Sequence, residues 1–386
     1  MLRVNLVYQA LPEYRVAPWR ALARRPGIDL TVHHATWPDL PNAQPDGFRA
    51  VPIREFSPDP HRVVLLPRLL GLASRSRSDV LVAPWNLRSA FLLPALARAR
   101  ASGVGTVLWG HGYSKRERPL KRWLRDRQGR LADALVFYDR ATCRSFSAQY
   151  PGYRGAFVAP NTLDLGAIEA ARARANASPE RSDALRAALG LTRADATRRP
   201  LVALHVGRLV EDNGVDLLLE ASARLDGVRT LIVGDGPRRP ELERRAADLG
   251  VTDDVRFLGA EYDPDRLALL FSLADVFVYP RNVGLSAVHA LAHGLPVVVG
   301  DHLPSHNPEV HAVQHGVNGA LFSQDDAGAL AEVLRGLRDG PATLEAMSTR
   351  ALASVHRDLP LEAMVDGLEA AVRFAAARRG RSPDAG

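Results

Sequence analysis

Three glycine-bearing turns and one histidine are where this sequence could do chemistry. Arg208 follows Gly207 at the end of the apolar run LVALHVG. A glycine lets a ligand reach the backbone, and a guanidinium donates in a planar fork that fits phosphate oxygens. The same turn runs through Asn213 and Gly214 into VDLLLEASARL, which is also the pattern of an ordinary strand-to-helix turn with a solvated arginine. Gly234, expected among the donor-binding residues, opens a second turn, Gly-Asp-Gly-Pro, after RTLIVG, a pattern that is often just a tight connection. The third follows DVFVYP: Arg281, Asn282, Val283, Gly284, Leu285 and Ser286 lead into a helix that carries His289. An Asn-x-Gly loop at a helix start, with an arginine at its mouth, can cradle phosphate because the first amides of the helix have no partner within it. His289 in isolation reads equally as a satisfied polar residue of that helix. His111 lies between two glycines in VLWGHGYS, where a strand end exposes a titratable ring; a structural turn histidine is the competing reading.

Two groups are set aside. Asp263-Pro264-Asp265 looks like an acidic metal-binding triplet but precedes the helix RLALLFSLA, so Asp263 is expected to cap that helix and no metal is expected. Cys143 is the only cysteine, which leaves no disulfide framework and no cysteine-based zinc site.

The elements that must hold these groups alternate in type. LRVNLVY, IDLTVHH, DVLVA, GTVLWG, ADALVFY and GAFVAP are short apolar runs with helical spacings between them, and LVALHVG, RTLIVG, VRFLG, DVFVY and PVVVG repeat the pattern. Such strands alternating with helices predict parallel sheets covered on both faces. At 386 residues the chain exceeds one ordinary core, so two α/β domains are expected. The expected division is a first Rossmann-like domain at 1–165, a linker at 166–199 with one helix begun by Ser178 and Pro179, a second Rossmann-like domain at 200–358, and a terminal helix at 359–386. That helix shows Met364, Val365, Leu368, Val372 and Phe374 and is expected to cross back to the first domain.

The net charge of +7 is uneven: Lys115 to Arg130 holds eight Lys or Arg against Glu117 and Asp126, a local excess of six. Leu120, Trp123, Leu124 and Leu131 share a helical face there. Either the helix packs this face on the sheet, or it meets an anionic membrane surface. Nucleic acid is not an expected partner, since no recognition module or stacking array accompanies the charge. The first residues show no leader pattern and no run approaches the ~20 apolar residues of a membrane span, so a cytoplasmic protein, peripheral at most at the inner membrane face, is expected.

In order, VGRLVEDNGVDLLLEA, VGDGPRRPELERRA, VRFLGAEYDPDRLALLFSLADVFVYP, NVGLSAVHALAHGLPVVVG and PEVHAVQHGVNGALF resemble the second domain of family-4 glycosyltransferases. The likeness spans roughly Asn161 to Ala376, and the NVGL…H version is similar to a bacterial polysaccharide-assembly branch. The resemblance implies a GT-B fold, with two Rossmann-like domains facing across a cleft, and a retaining, metal-free reaction with a nucleotide-sugar donor as co-substrate. It places the donor diphosphate on Gly207 and Arg208 and closes the amides around Gly284 and Leu285 on phosphate and sugar. Leu258 would line the base, His111 would face the transferred sugar, and Tyr14 and Arg15 of QALPEYR would lie on the acceptor side. Asn213, expected among the donor-binding residues, stands where the family usually has a lysine, and Arg281 and His289 stand where it usually has two glutamates. Arg281 is therefore expected to supply the second phosphate contact, and His289 a hydrogen bond to ribose or sugar.

The expected function is transfer of a sugar to a cell-surface polysaccharide, a lipid-linked precursor or a related glycan. The alternatives are a catalytically degenerate partner subunit that binds a glycan or sugar nucleotide, and a sugar-nucleotide epimerase of the same fold.

Overall fold

The computed structural model describes residues 1–36, 42–54, 56–59, 63–112, 118–191 and 199–381. Lys115, Arg116 and Glu117 of the basic segment lie outside these residues. The apolar runs become strands: β1 (Leu2–Tyr8), β2 (Ile28–His34), β3 (Arg49–Pro52), a separate antiparallel pair β4 (Phe56–Asp59) and β5 (Val63–Leu65), then β6 (Val80–Pro84), β7 (Gly105–Gly110), β8 (Ala134–Phe137) and β9 (Ala156–Val158). All but the pair form one parallel sheet in the order β3-β2-β1-β6-β7-β8-β9.

A second parallel sheet is built from β10 (Leu201–Val206), β11 (Val228–Val233), β12 (Val255–Gly259), β13 (Val276–Val278), β14 (Val297–Gly300) and β15 (Gly319–Phe322). Its order is β12-β11-β10-β13-β14-β15. Both sheets reverse their direction of growth once, between β1 and β6 and between β10 and β13. Loops leave such a point on opposite faces and open a crevice at the carboxyl ends of the strands.

The chain divides into two compact units, Met1–Asp164 with Leu361–Gly386, and Leu165–Pro360. In the first unit the terminal helix, Leu361–Ala377, buries Met364, Val365, Leu368 and Val372 in the core of the sheet, while Phe374 meets Phe157 edge-on at 5.3 Å. Glycines let this helix lie close: a Cβ on Gly105 would come 2.6 Å from the Ala375 carbonyl oxygen, and one on Gly367 1.9 Å from that of Val158.

The stretch expected to be a linker is mostly folded structure of the second unit. Helices Leu165–Asn176 and Pro179–Ala188 are present, and Ala171 and Ala175 pack on Ala268 and Leu269 of the helix Pro264–Leu273. Arg174 donates to Asp265 through Nε and Nη2 at 2.9 and 2.6 Å. A stripe of alanines is weakly apolar, which explains why the first of these helices escapes a hydrophobicity pattern; 192–198 lie outside the described residues.

Candidate functional site

At the β10–β13 switch point, glycines bring two loops into backbone contact. A Cβ on Gly207 would stand 2.7 Å from the Tyr279 hydroxyl, one on Gly236 2.4 Å from the Leu209 carbonyl oxygen, and one on Gly234 only 1.9 Å from that of Gly207. Gly234 also holds φ +145, which L side chains rarely adopt. The Leu209 amide donates to Asp235 and the Arg238 amide back to Leu209, closing the pair of loops at 2.9 and 3.2 Å. Arg208 is left with its side chain exposed on this edge. Beneath it His205 stacks on Tyr279 at 4.5 Å and bonds the Val278 carbonyl at 3.0 Å; burial lowers its pKa to about 4.

A relay of amide side chains then ties three loops together. Asn213, buried at the end of the turn Glu211–Asn213, donates from Nδ2 to the Arg208 carbonyl at 2.6 Å, and its Oδ1 accepts from Asn282 at 3.2 Å. Asn282 in turn accepts from Asn307 Nδ2 on both its carbonyl and its Oδ1, at 3.2 and 3.3 Å. These contacts hold Asn282 at φ +58, in the left-handed region that asparagine tolerates. The next amide, Val283, donates to His306 Nδ1 at 3.1 Å, and His306 Nε2 bonds the Gly300 carbonyl at 3.1 Å, so the proton belongs on Nε2. The outcome is a fixed entry to the helix Leu285–Ala292, whose N-terminal Gly284 has no side chain to cap the first amides. Leu285 and Ser286 are half-buried in that first turn.

Three expected donor contacts need correction or refinement. Asn213 does not present its amide as a ligand group, because both ends serve the relay; a lysine there would break both bonds. Arg281 points its Nε at Asp325, 2.5 Å away, keeps an Nη 3.8 Å from Asp216, and lies against Gly214. A phosphate would have to compete with two carboxylates for it. His289 is packed between Phe271 (ring centroids 4.6 Å apart) and His293 (5.1 Å). Burial lowers its pKa to about 4, and that of His293, through burial, His289 and Arg172, to about 3. Both rings are neutral at pH 7. Leu258 is half-buried near the end of β12, the edge strand. Asp263 caps its helix as expected, accepting from the Asp265 amide at 2.9 Å.

In the first unit His111 is exposed just past β7, its ring 4.7 Å from that of Tyr138. Gly112 follows at φ +76, where a Cβ would strike the Phe137 ring at 2.9 Å, and Arg125 donates to its carbonyl at 2.8 Å. Tyr14 is half-buried. Arg15 is not an acceptor-facing surface residue: it is 2% exposed, ringed by Tyr8, Tyr14, Trp19, Trp109 and Tyr138 at 5.0 to 5.9 Å. Its hydrogen bonds go to Asn161 Oδ1 (2.7 Å), Tyr8 Oη (3.3 Å) and Met364 Sδ (3.7 Å), with no carboxylate among its described partners. Aromatic faces and neutral acceptors replace a counter-ion.

Sequence reasoning passed over Asn307, His306 and Asp325. Only the polar run SHNPE hinted at the first two, and bonds between residues 23 and 25 positions apart carry no local pattern.

Residues 200–339 match the family model described as glycosyl transferases group 1. The D-inositol 3-phosphate glycosyltransferase of Mycolicibacterium smegmatis is 38% identical over 183 residues, 44% of this chain and 39% of that protein. The lipopolysaccharide core biosynthesis glycosyltransferase LpsE of Rhizobium meliloti is 35% identical over 136 residues, 34% of this chain and 38% of that one. The chain spans less than half the length of these curated relatives. Among solved structures, Anabaena HepE in complex with UDP aligns at TM-score 0.69 and 19% identity over 96% of this chain and 99% of that one. Sucrose-phosphate synthase of Thermosynechococcus elongatus aligns at 0.68 and 18% over 98% and 100%. The chain therefore has the GT-B fold, and its residues 200–339 are similar to a group 1 glycosyltransferase domain.

Proposed function

We propose that this chain is a glycosyltransferase that takes a sugar from a nucleotide donor held by the second unit. The observation that carries the reading is the glycine-built edge of the second sheet: Gly207 and Gly234 in backbone contact, exposed Arg208, and a helix opened by Gly284. A diphosphate laid there meets a guanidinium and helix-start amides that have no side-chain cap, which stabilise the charge that develops on the leaving group. The UDP and UDP-glucose complexes of the Anabaena neighbour support the same ligand class. In this proposal the reaction is retaining and needs no metal, and His111 acts on the reacting sugar. The acceptor is a polysaccharide, a lipid-linked precursor or a related glycan at the cytoplasmic face of a membrane. The name of the lipopolysaccharide-core relative supports an acceptor of that general kind. No helix among the described residues is long and apolar enough to cross a membrane.

One observation favours a second reading. Where the resembling family has two glutamates, Arg281 is engaged by acids and His289 is packed as a neutral ring. A nucleotide-sugar-binding partner subunit without transfer would fit those substitutions. The two readings separate on nucleoside diphosphate release: a transferase releases it from donor only when acceptor glycan is present, and a binding subunit does not release it at all.

A further inference from the structure

The helix Pro119–Gly129 is folded with its apolar side outward. Its buried residues are Asp126, Gln128 and Gly129. Asp126 accepts from the Tyr150 hydroxyl at 2.9 Å, the Trp85 indole donates to the Arg125 carbonyl at 3.3 Å, and Gly129 lies so close to Trp85 that a Cβ would come within 2.5 Å of its ring. Leu120, Trp123 and Leu124, at helical spacing on the opposite side, are 67%, 53% and 44% exposed, and Leu131 just past the helix is 50% exposed. Among the described residues these are four of the eight exposed large hydrophobic side chains, so the cluster is not ordinary surface scatter. Of the two readings of this face, packing on the sheet does not hold: the sheet side is taken by polar anchors.

The surroundings select the partner. Arg118, Lys121, Arg122, Arg127 and Arg130 are all exposed, and Asp126, the single acid between them, is buried. Arg127 lies 5.6 Å over the Trp123 ring. An apolar stripe flanked by cations, with an amphipathic tryptophan inside it, matches a helix lying in the plane of an anionic bilayer surface. A second copy of the chain would set like charges against each other, and a bare polyanion would leave the leucines in water.

We infer that Pro119–Gly129 is an interfacial helix that seats the first unit on an anionic lipid surface, with Leu120, Trp123 and Leu124 entering the headgroup–acyl boundary. The inference rests on this surface alone and holds or fails independently of the reaction proposed above. The test is flotation of the full chain with phosphatidylcholine vesicles, with and without about 30% phosphatidylglycerol. Binding to the anionic vesicles should exceed that to neutral ones by more than tenfold, since each cation near an anionic leaflet contributes roughly fivefold. A triple Leu120→Ser, Trp123→Ser, Leu124→Ser variant should lose at least tenfold while its thermal midpoint stays unchanged, because these side chains are already exposed. Brominated acyl chains should quench tryptophan emission in the wild type and markedly less in Trp123→Phe, which still binds. Equal binding to both vesicles, or a triple variant that binds as the wild type does, overturns the inference. So does concentration-dependent dimerisation that the triple variant abolishes, which would assign the face to a second copy.

Discussion

At the carboxyl edge of the first sheet a permanent cation is buried among five aromatic rings, whereas at the same edge of the second sheet glycines and asparagines bring bare backbone to the surface. The two units share strand order around their switch points and differ in what fills the crevice. Among the described residues the first edge is packed and offers an exposed ring at His111. The second is built from glycines that let two loops touch backbone to backbone, and it offers donors. Strand order fixes where a ligand could bind; side-chain volume at the switch point decides whether anything can.

Arg15 gives the largest way to break this comparison. Arg15→Ala should cost about 3 to 5 kcal/mol, through a cavity and stranded acceptors, and Arg15→Met should recover much of it because a buried charge is exchanged for a packed side chain. Denaturant unfolding followed by tryptophan fluorescence checks this. Nucleotide affinity of the folded protein should not change, because the donor site proposed above lies in the other unit.

Gly234→Ala is the counterpart in the second unit. Its Cβ would overlap the Gly207 carbonyl oxygen in a strained backbone conformation, so a loss of about 2 to 4 kcal/mol is expected, together with loss of nucleotide binding. A calorimetric titration in which Gly234→Ala binds nucleotide normally would show that the loop contact is incidental.

Acid should separate the units. His205, His289 and His293 in the second unit have pKa values lowered by burial from 6.5 to about 4, 4 and 3, and among the described groups His33 in the first is lowered to about 4. The unfolded chain takes up these protons at higher pH than the folded one. The stability they contribute is therefore complete above about pH 6.5 and is lost as pH falls toward 4. The second unit should unfold first on acidification, and His293→Asn should flatten the slope of stability between those pH values.

Much of the frame was legible: β14 is a continuous apolar run, β10 is apolar but for His205 and β11 but for Arg229 and Thr230, and the terminal helix carries its stripe in plain view. β3 and β15 escaped because they are four-residue edge strands, the one exposed at both ends and the other begun by a glycine. Gly207, Gly234 and Gly284 were visible as punctuation after strands. The Asn213–Asn282–Asn307 relay was not, since its partners are 69 and 25 residues apart. Leu120, Trp123 and Leu124 could be placed on one face from spacing, yet spacing carries no information about which face the sheet covers.

The smallest change tests the central claim most directly. Arg208 is exposed, so Arg208→Ala should leave stability within roughly 0.5 kcal/mol while weakening nucleoside diphosphate binding by about 10 to 100-fold, or roughly 1.4 to 2.7 kcal/mol. An isothermal titration of UDP and other nucleoside diphosphates into the wild type and this variant decides the matter. The account predicts binding in the wild type and that loss in the variant; a wild type that binds no nucleotide, or a variant that binds equally well, would contradict it.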